Sequence, residues 1–342
     1  MIVDDSAVAR SVLSRMLAYH PEFEIVATAS TAAEAVDALK RIQVDIVLLD
    51  LEMPGGSGLA AIPDILRHGS GARILVVSSS TETGSESAIQ ALALGAADTL
   101  AKPGAVIPGL FSQALVERLR RLVIPEAELG FDPAPQCEIA AETLATPERI
   151  GCLAIGASTG GLHAIAAFLR ALPTRLGAPL LVTQHLPPLF LPLFARQIEI
   201  ASGRKVRLAQ DGAVVRAEEI LVAPGDAHLG LERRGTAVRV HLLREVHETG
   251  CMPSVDVMLG AVAETYGRRG VAVVLSGMGR DGLAGSRALA AAGGTILVQD
   301  GASSAVWGMP GAVSRAGLAG AIGAPADLGA MVASWADARP CR

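Results

Sequence analysis

The chain has 342 residues, half of them apolar, with 29 basic against 34 acidic side chains and a net charge of −5. That length suits two domains with separate cores, and no apolar run approaches the roughly 20 residues of a membrane span. The charge is uneven: positions 1–102 carry 7 basic and 13 acidic residues, net −6, and the remainder is near neutral at +1, which is not the footprint of a nucleic-acid binder.

Strands and helices alternate from the start. Ile2 and Val3 end a strand, and residues 7–17 form a helix with Ser6 as its N-cap. Residues 24–28 read as a strand. Thr31 and Glu34 form a capping box ahead of a helix that ends near Arg41. Residues 44–49 are an apolar strand closing on Asp50. A helix over 58–67, a strand over 73–77, a helix over 85–94 and a strand over 98–101 follow, and a last helix covers 113–122. Five strands with crossovers predict an α/β fold of flavodoxin-like type, a doubly wound parallel sheet.

Polar groups collect at the strand ends, where such sheets bind ligands. Asp4 and Asp5 end the first strand, Asp50 the third, Ser78 the fourth and Lys102 the fifth. Clustered carboxylates repel one another and hold a hard cation through oxygen, which suits Mg²⁺. The lysine would neutralise added negative charge, and the serine hydroxyl would bond a phosphoryl oxygen. Any one of these acids could be a solvated loop residue; five polar groups at matching ends fit that reading poorly.

The segments Val3-Asp4-Asp5-Ser6, Leu49-Asp50-Leu51-Glu52-Met53-Pro54, Val77-Ser78-Ser79 and Ala101-Lys102-Pro103 resemble the receiver domain of two-component response regulators. The resemblance implies that Asp50 is the phospho-acceptor. It also implies that Asp4, Asp5 and Asp50, with the Glu52 carbonyl, hold Mg²⁺, and that Ser78 and Lys102 read the phosphoryl group. Two departures stand out. The first strand is short, which suggests that further residues precede it. Thr99 occupies the usual aromatic switch position, which suggests altered coupling from Ser78.

Residues 123–149 read as a linker, with Pro125, Pro133, Pro135 and several glutamates. It is either a tether that lets one domain cover the other or a passive spacer. Alternation resumes at Ile150. Residues 152–155 read as a buried strand and 162–172 as a helix, with Gly156-x-Ser158-x-Gly160 on the turn between them. That turn admits three readings: a tight turn, a cofactor loop, or a nucleophile elbow. A short-chain dehydrogenase would need Tyr with Lys four places later, and Phe23 and Gly270 occupy those places after Tyr19 and Tyr266.

A strand over 179–184 ends at His185, and a helix covers 190–200. Short strands over 206–208, 220–222 and 237–243 suggest some antiparallel pairing. A helix over 254–266 carries Asp256 in its first turn. The apolar strand 271–275 reads as central and ends in Ser276-Gly-Met-Gly-Arg-Asp281-Gly, with a helix and a strand over 295–298 beyond. Ser158, His185 and Asp281 each follow a buried strand, so sheet topology could assemble nucleophile, base and orienting acid. His228, His241 and His247 compete for the base role. His228 sits in a turn that could contact substrate, while His241 and His247 look structural or solvated. The glycines around Met278 allow its backbone N–H to face the serine as an oxyanion donor, with Thr159 as support. The chain order Ser, His, Asp differs from that of α/β-hydrolases.

The runs Ile155-Gly-Ala-Ser-Thr-Gly-Gly161, Gln184-His-Leu-Pro187, Leu221-Val-Ala-Pro-Gly225, Pro253-Ser-Val-Asp256 and Leu275-Ser-Gly-Met-Gly-Arg-Asp-Gly282 resemble the catalytic domain of chemotaxis protein-glutamate methylesterases of the CheB type. The resemblance implies a second, mostly parallel doubly wound α/β domain, so that the chain divides into 1–122, 123–149 and 150–342. It implies hydrolysis of glutamate γ-methyl esters, and deamidation of certain glutamines, on methyl-accepting chemoreceptors. Ser158 is then the nucleophile, His185 the base and acid, and Asp281 the orienting acid, with no cofactor for the esterase step. A sensor histidine kinase is the implied phosphodonor, and phosphorylation would lift the receiver from the catalytic cleft.

Cys137, Cys152, Cys251 and Cys341 form no Cys-x-x-Cys pair, which argues against a zinc site or a disulfide framework. With no signal-peptide pattern, the expected location is the cytoplasm, without membrane insertion. The alternative function is a non-catalytic phosphate sink that binds receptor or kinase. A transcription factor is disfavoured, because the second half has no basic recognition helix.

Overall fold

The computed structural model describes residues 1–53, 58–78, 82–102, 108–123 and 149–337. The linker predicted over 123–149 lies almost entirely outside them. The chain divides into two compact units, Met1–Phe131 and Asp132–Arg342.

In the first unit, β1 (Ile2–Val3), α1 (Ala7–Leu17), β2 (Thr28–Ala29), α2 (Ala32–Leu39), β3 (Ile46–Asp50), α3 (Gly58–His68), β4 (Arg73–Ser78), α4 (Glu82–Ala93), β5 (Asp98–Ala101) and α5 (Pro108–Val123) alternate. The sheet runs β2-β1-β3-β4-β5, all parallel. Every residue of β3 is buried, as a strand covered by helices on both faces must be. Ser6 caps α1 by accepting the Ala9 N–H, as predicted. At α2, Thr31 accepts the Glu34 N–H, and the Glu34 carboxylate reaches back to the N–H of Ser30 as well as towards that of Thr31. The strand predicted over 24–28 shrinks to Thr28–Ala29. A ladder needs a partner, and β1 offers only Ile2 and Val3.

The second unit comprises β6 (Cys152–Ala157), α6 (Gly161–Arg170), β7 (Leu180–Gln184), α7 (Leu191–Ser202), β8 (Val206–Leu208), β9 (Ile220–Val222), β10 (His228–Arg234), β11 (Ala237–Leu243), α8 (Val255–Tyr266), β12 (Gly270–Val274), α9 (Leu283–Ala291), β13 (Thr295–Gln299), α10 (Gly308–Arg315), β14 (Ala321–Gly323) and α11 (Pro325–Asp337). Seven parallel strands run in the order β14-β13-β12-β6-β7-β9-β8, and β10-β11 form a separate antiparallel hairpin. The antiparallel pairing expected of the short strands is made by β10 and β11; β8 and β9 pair in parallel. β10 itself was not predicted, because His228 opens it inside a stretch read as a turn. β12, β6 and β7 are buried throughout, with Leu153, Ile155, Val182 and Val273 in the core.

This strand order places the site. β6 lies between β12 and β7, so the loops leaving these three strands emerge side by side at one edge. Among the described residues, no helix is long and apolar enough to cross a membrane.

Candidate active site

Ser158 follows β6 directly. Ala157 and Gln184 are register partners, so Ser158 and His185 leave the sheet together, and the His185 N–H donates to the Ala157 carbonyl at 3.1 Å. Ser158 is held on both sides. Its N–H donates to the Ser276 carbonyl at 3.0 Å, and the Gln184 Nε2 amide donates to its carbonyl at 2.7 Å. The next residue is fixed too, because Ser276 Oγ donates to the Thr159 carbonyl at 2.7 Å and the Ser276 N–H donates to Gln299 Oε1 at 2.7 Å. Gly160 caps α6 at φ 74°, and a Cβ there would lie 2.5 Å from the Ala305 Cβ. Only glycine fits both the left-handed backbone and the space.

His185 and Asp281 meet as the sequence suggested: Nε2 to Oδ2 is 2.8 Å. The carboxylate fixes the tautomer, since Nε2 must carry the hydrogen it donates, which leaves the lone pair on Nδ1. In the familiar serine-protease arrangement the acid faces Nδ1; here it faces Nε2. The His185 side chain is 17% exposed and Asp281 is buried, so the ring can meet a substrate while its anchor stays dry.

Asp281 is anchored by the first turn of α8. It accepts from Ser254 Oγ at 2.8 Å, from the Val255 N–H at 2.7 Å and from the Asp256 N–H at 3.0 Å, and from the Gly282 N–H at 3.1 Å. Unpaired N–H groups at a helix start bind an anion well. Burial alone would raise the Asp281 pKa, but the hydrogen bond and charge of His185, with these N–H groups, hold it down at about 2. The neighbouring Asp256 goes the other way: burial and the Asp281 charge raise it to about 6, opposed by the N–H of Gly285.

Ser254, His228 and Asp281 form a second serine, histidine and aspartate set, but not one built for nucleophilic attack. The Ser254 hydroxyl donates straight to Asp281, and it is the Ser254 backbone N–H that reaches His228 Nδ1 at 2.9 Å. His228 Nε2 donates in turn to the Glu245 carbonyl at 2.8 Å. Ser254 and His228 are both buried, so His228 braces the loop before α8 and does not meet substrate. Sequence reasoning missed this bracing, and Gln184, Ser276 and Gln299 with it. The available signal was a polar residue at the buried end of a strand, next to a candidate catalytic group.

The turn bearing Met278 packs on Ser158: a Cβ on Gly277 would lie 2.9 Å from the Ser158 Cβ. The Gly277 N–H is spent on the Val306 carbonyl. Met278 and Thr159 are both partly exposed.

In the first unit, ligand oxygens of Asp4, Asp5 and Asp50 lie within 4.8 Å of one another. Lys102 Nζ sits 2.7 Å from Asp50 and 3.2 Å from Asp4. Burial raises the Asp50 pKa, with Lys102 and the Glu52 N–H opposing it. Burial would lower Lys102, but the two carboxylates outweigh it and raise its pKa. An all-oxygen acidic cluster suits a hard cation. Ser78 ends β4 opposite Ala101, and Thr99 pairs with Val76.

Residues 153–332 match the family described as CheB methylesterase, and residues 1–107 match the response regulator receiver domain. A protein-glutamate methylesterase/protein-glutamine glutaminase 2 of Caulobacter vibrioides is 39% identical over 345 residues, covering 98% of this chain and 98% of that protein. A protein-glutamate methylesterase/protein-glutamine glutaminase 1 of Paramagnetospirillum magneticum is 36% identical over 349 residues, covering 94% and 92%. The crystal structure of the Thermotoga maritima CheB methylesterase catalytic domain aligns with TM-score 0.53 at 33% identity, covering 54% of this chain and 97% of that one.

Proposed function

The chain belongs to the CheB methylesterase family, and from that premise we infer that Ser158, His185 and Asp281 carry its hydrolytic chemistry. It is a receiver-linked protein-glutamate methylesterase and protein-glutamine glutaminase. The observation that carries the site assignment is the 2.8 Å pairing of His185 with a buried Asp281, on a loop in register with the one bearing Ser158.

His185 Nδ1 takes the Ser158 proton as Oγ attacks the γ-carbonyl carbon of a glutamate methyl ester. The oxyanion forms against the Met278 N–H, with Thr159 in support. The imidazolium, stabilised by Asp281, returns the proton to the leaving methoxide, and methanol departs. Water, deprotonated by the same ring, then attacks the acyl-enzyme, releasing glutamate and restoring Ser158. A glutamine side chain follows the same course and releases ammonia.

The substrates are methyl-accepting chemoreceptors, and a sensor histidine kinase supplies the phosphoryl group to Asp50. Asp4, Asp5 and Asp50, with the Glu52 carbonyl, would hold Mg²⁺, which when bound screens the charge on the incoming phosphoryl group. Lys102 and Ser78 read that group. Phosphorylation relieves inhibition by the receiver, shifting a two-state equilibrium. Residues 1–122 form the receiver, 123–149 the linker and 150–342 the catalytic domain. The chain works in the cytoplasm. Methanol release from a methylated receptor fragment, with and without a small phosphodonor, tests this reading. Full turnover by a folded Ser158→Ala variant would end the nucleophile assignment; no release by the wild type under either condition would favour a non-catalytic sink.

A further inference from the structure

Cys251 lies in the loop between β11 and α8, far in sequence from His185 and Asp281. Nevertheless a ligand atom from each of the three lies within 4.8 Å of the other two: an imidazole nitrogen, a thiol sulfur and a carboxylate oxygen. We propose that this trio is a reversible inhibitory site for a thiophilic divalent cation such as Zn²⁺. The inhibitory half of the proposal rests on His185 being the catalytic base; the binding half does not.

The donor set is the argument. One sulfur, one nitrogen and one oxygen make a three-ligand zinc site with a fourth position open to water. Cys251 is partly exposed, as is the His185 ring at 17%, so a cation can enter from solvent. The Cys251 loop is tied down locally, the Cys251 N–H donating to Thr249 Oγ1 at 3.4 Å and Sγ to the Thr249 carbonyl at 3.8 Å. The surroundings favour positive charge. His247 and Asp256 offer atoms within 4.8 Å of Asp281 as well, so a second carboxyl stands behind the first.

The adjustment needed is small. Zn–N and Zn–O bonds of about 2.0–2.1 Å in a tetrahedral site separate the two ligand atoms by about 3.3 Å. His185 Nε2 and Asp281 Oδ2 are 2.8 Å apart, so a modest rotation of the exposed ring suffices. Asp281 keeps its bonds from the α8 turn and exchanges an N–H donor for a metal. Binding through Nε2 moves the ring hydrogen to Nδ1 and releases the Cys251 thiol proton to solvent, so Nδ1 has no lone pair left to take the Ser158 proton, and binding and hydrolysis exclude one another. Mg²⁺, which prefers oxygen donors, does not compete here.

The test uses the full chain, stripped by chelator, kept in Mg²⁺, then titrated with Co²⁺ and with Zn²⁺. Wild type and Ser158→Ala should both show a thiolate-to-cobalt charge-transfer band. Cys251→Ala and His185→Asn should bind at least about tenfold more weakly, with the band lost in the cysteine variant. Zn²⁺ should stop methanol release by the wild type, and chelator should restore it. In Cys251→Ala the Zn²⁺ needed for half-inhibition should rise by at least about tenfold, with rates scaled to that variant's own chelated rate. A band that persists in Cys251→Ala, no band in the wild type, or equal Zn²⁺ inhibition of the two overturns the proposal. If the wild type shows the band but releases no methanol, the metal site stands and the hydrolase reading fails separately.

Discussion

The Asp256 N–H donates to Asp281 Oδ1 at 3.0 Å, so two buried carboxyls share the first turn of α8 with opposite titration behaviour. Only one of them can be comfortably charged there, and the helix start, Ser254 and His185 all favour Asp281. Asp256 receives one N–H, from Gly285 at 2.7 Å.

That asymmetry sets a pH dependence. Asp256 titrates near 6 against an ordinary 3.8, so between those values the folded state holds a proton the unfolded chain has released. Stability therefore falls as pH rises through that window. Asp256→Asn keeps an oxygen for the Gly285 N–H and removes the titration. It should be more stable than wild type by about 1–2 kcal/mol at pH 8, the gain vanishing below about pH 4, in paired denaturant titrations. A gain independent of pH would contradict the assignment.

Asp281 has the reverse sign. Its pKa is lowered from 3.8 to about 2, so its contribution is complete above the upper value and lost as the pH falls through the lower one. Asp281→Asn should lower kcat by about three to four orders of magnitude, because the imidazole loses the acceptor that fixes its tautomer. KM should move far less. Steady-state methanol release would measure both.

The two serines should separate cleanly. Ser158→Ala should abolish turnover and leave the unfolding midpoint nearly unchanged. Ser254→Ala removes both the α8 cap, an acceptor of the Val257 N–H, and a donor to Asp281. It should cost about 1–2 kcal/mol of stability and reduce kcat without eliminating it. Abolished turnover in a fully stable Ser254→Ala would instead mark Ser254 as the attacking group.

Lys102 lies between Asp4 and Asp50 and competes with any cation for them. Lys102→Met should bind Mg²⁺ more tightly, by roughly a few-fold, since a nearby positive charge is gone. It should also be less stable than wild type at pH 7 without Mg²⁺, with the deficit shrinking as the pH falls and Asp50 takes up a proton. Mg²⁺ titration and thermal melts across pH would check both. Unchanged Mg²⁺ affinity would place the cation elsewhere.

Gly160→Ala should destabilise the second unit by about 1–3 kcal/mol and slow hydrolysis as well. It combines a left-handed φ of 74° with a Cβ 2.9 Å from the Ser276 Oγ that holds the Thr159 carbonyl. Melting and kinetics on the same preparation would show whether the two losses travel together.

Much of this molecule follows from local pattern. Runs such as Ile46–Leu49 and Val271–Val274 are apolar at every position, which identifies buried parallel strands. Ser6 and Thr31 announce helix starts by chemistry that needs only the next three residues. Even the candidate polar groups could be found: Ser158 and His185 directly follow strands, and Asp281 lies in the loop that leaves β12. The tertiary structure alone decided which of them meet. That outcome depends on β6 pairing between β12 and β7, on His228 opening a hairpin strand instead of a turn, and on α8 aiming its first N–H groups at Asp281. It also decided that Nε2 of His185 faces Asp281 and that Cys251 stands close to both. Periodicity is a property of neighbours along the chain, whereas convergence is fixed by pairings between residues tens to more than a hundred positions apart, and no short window of sequence contains both partners.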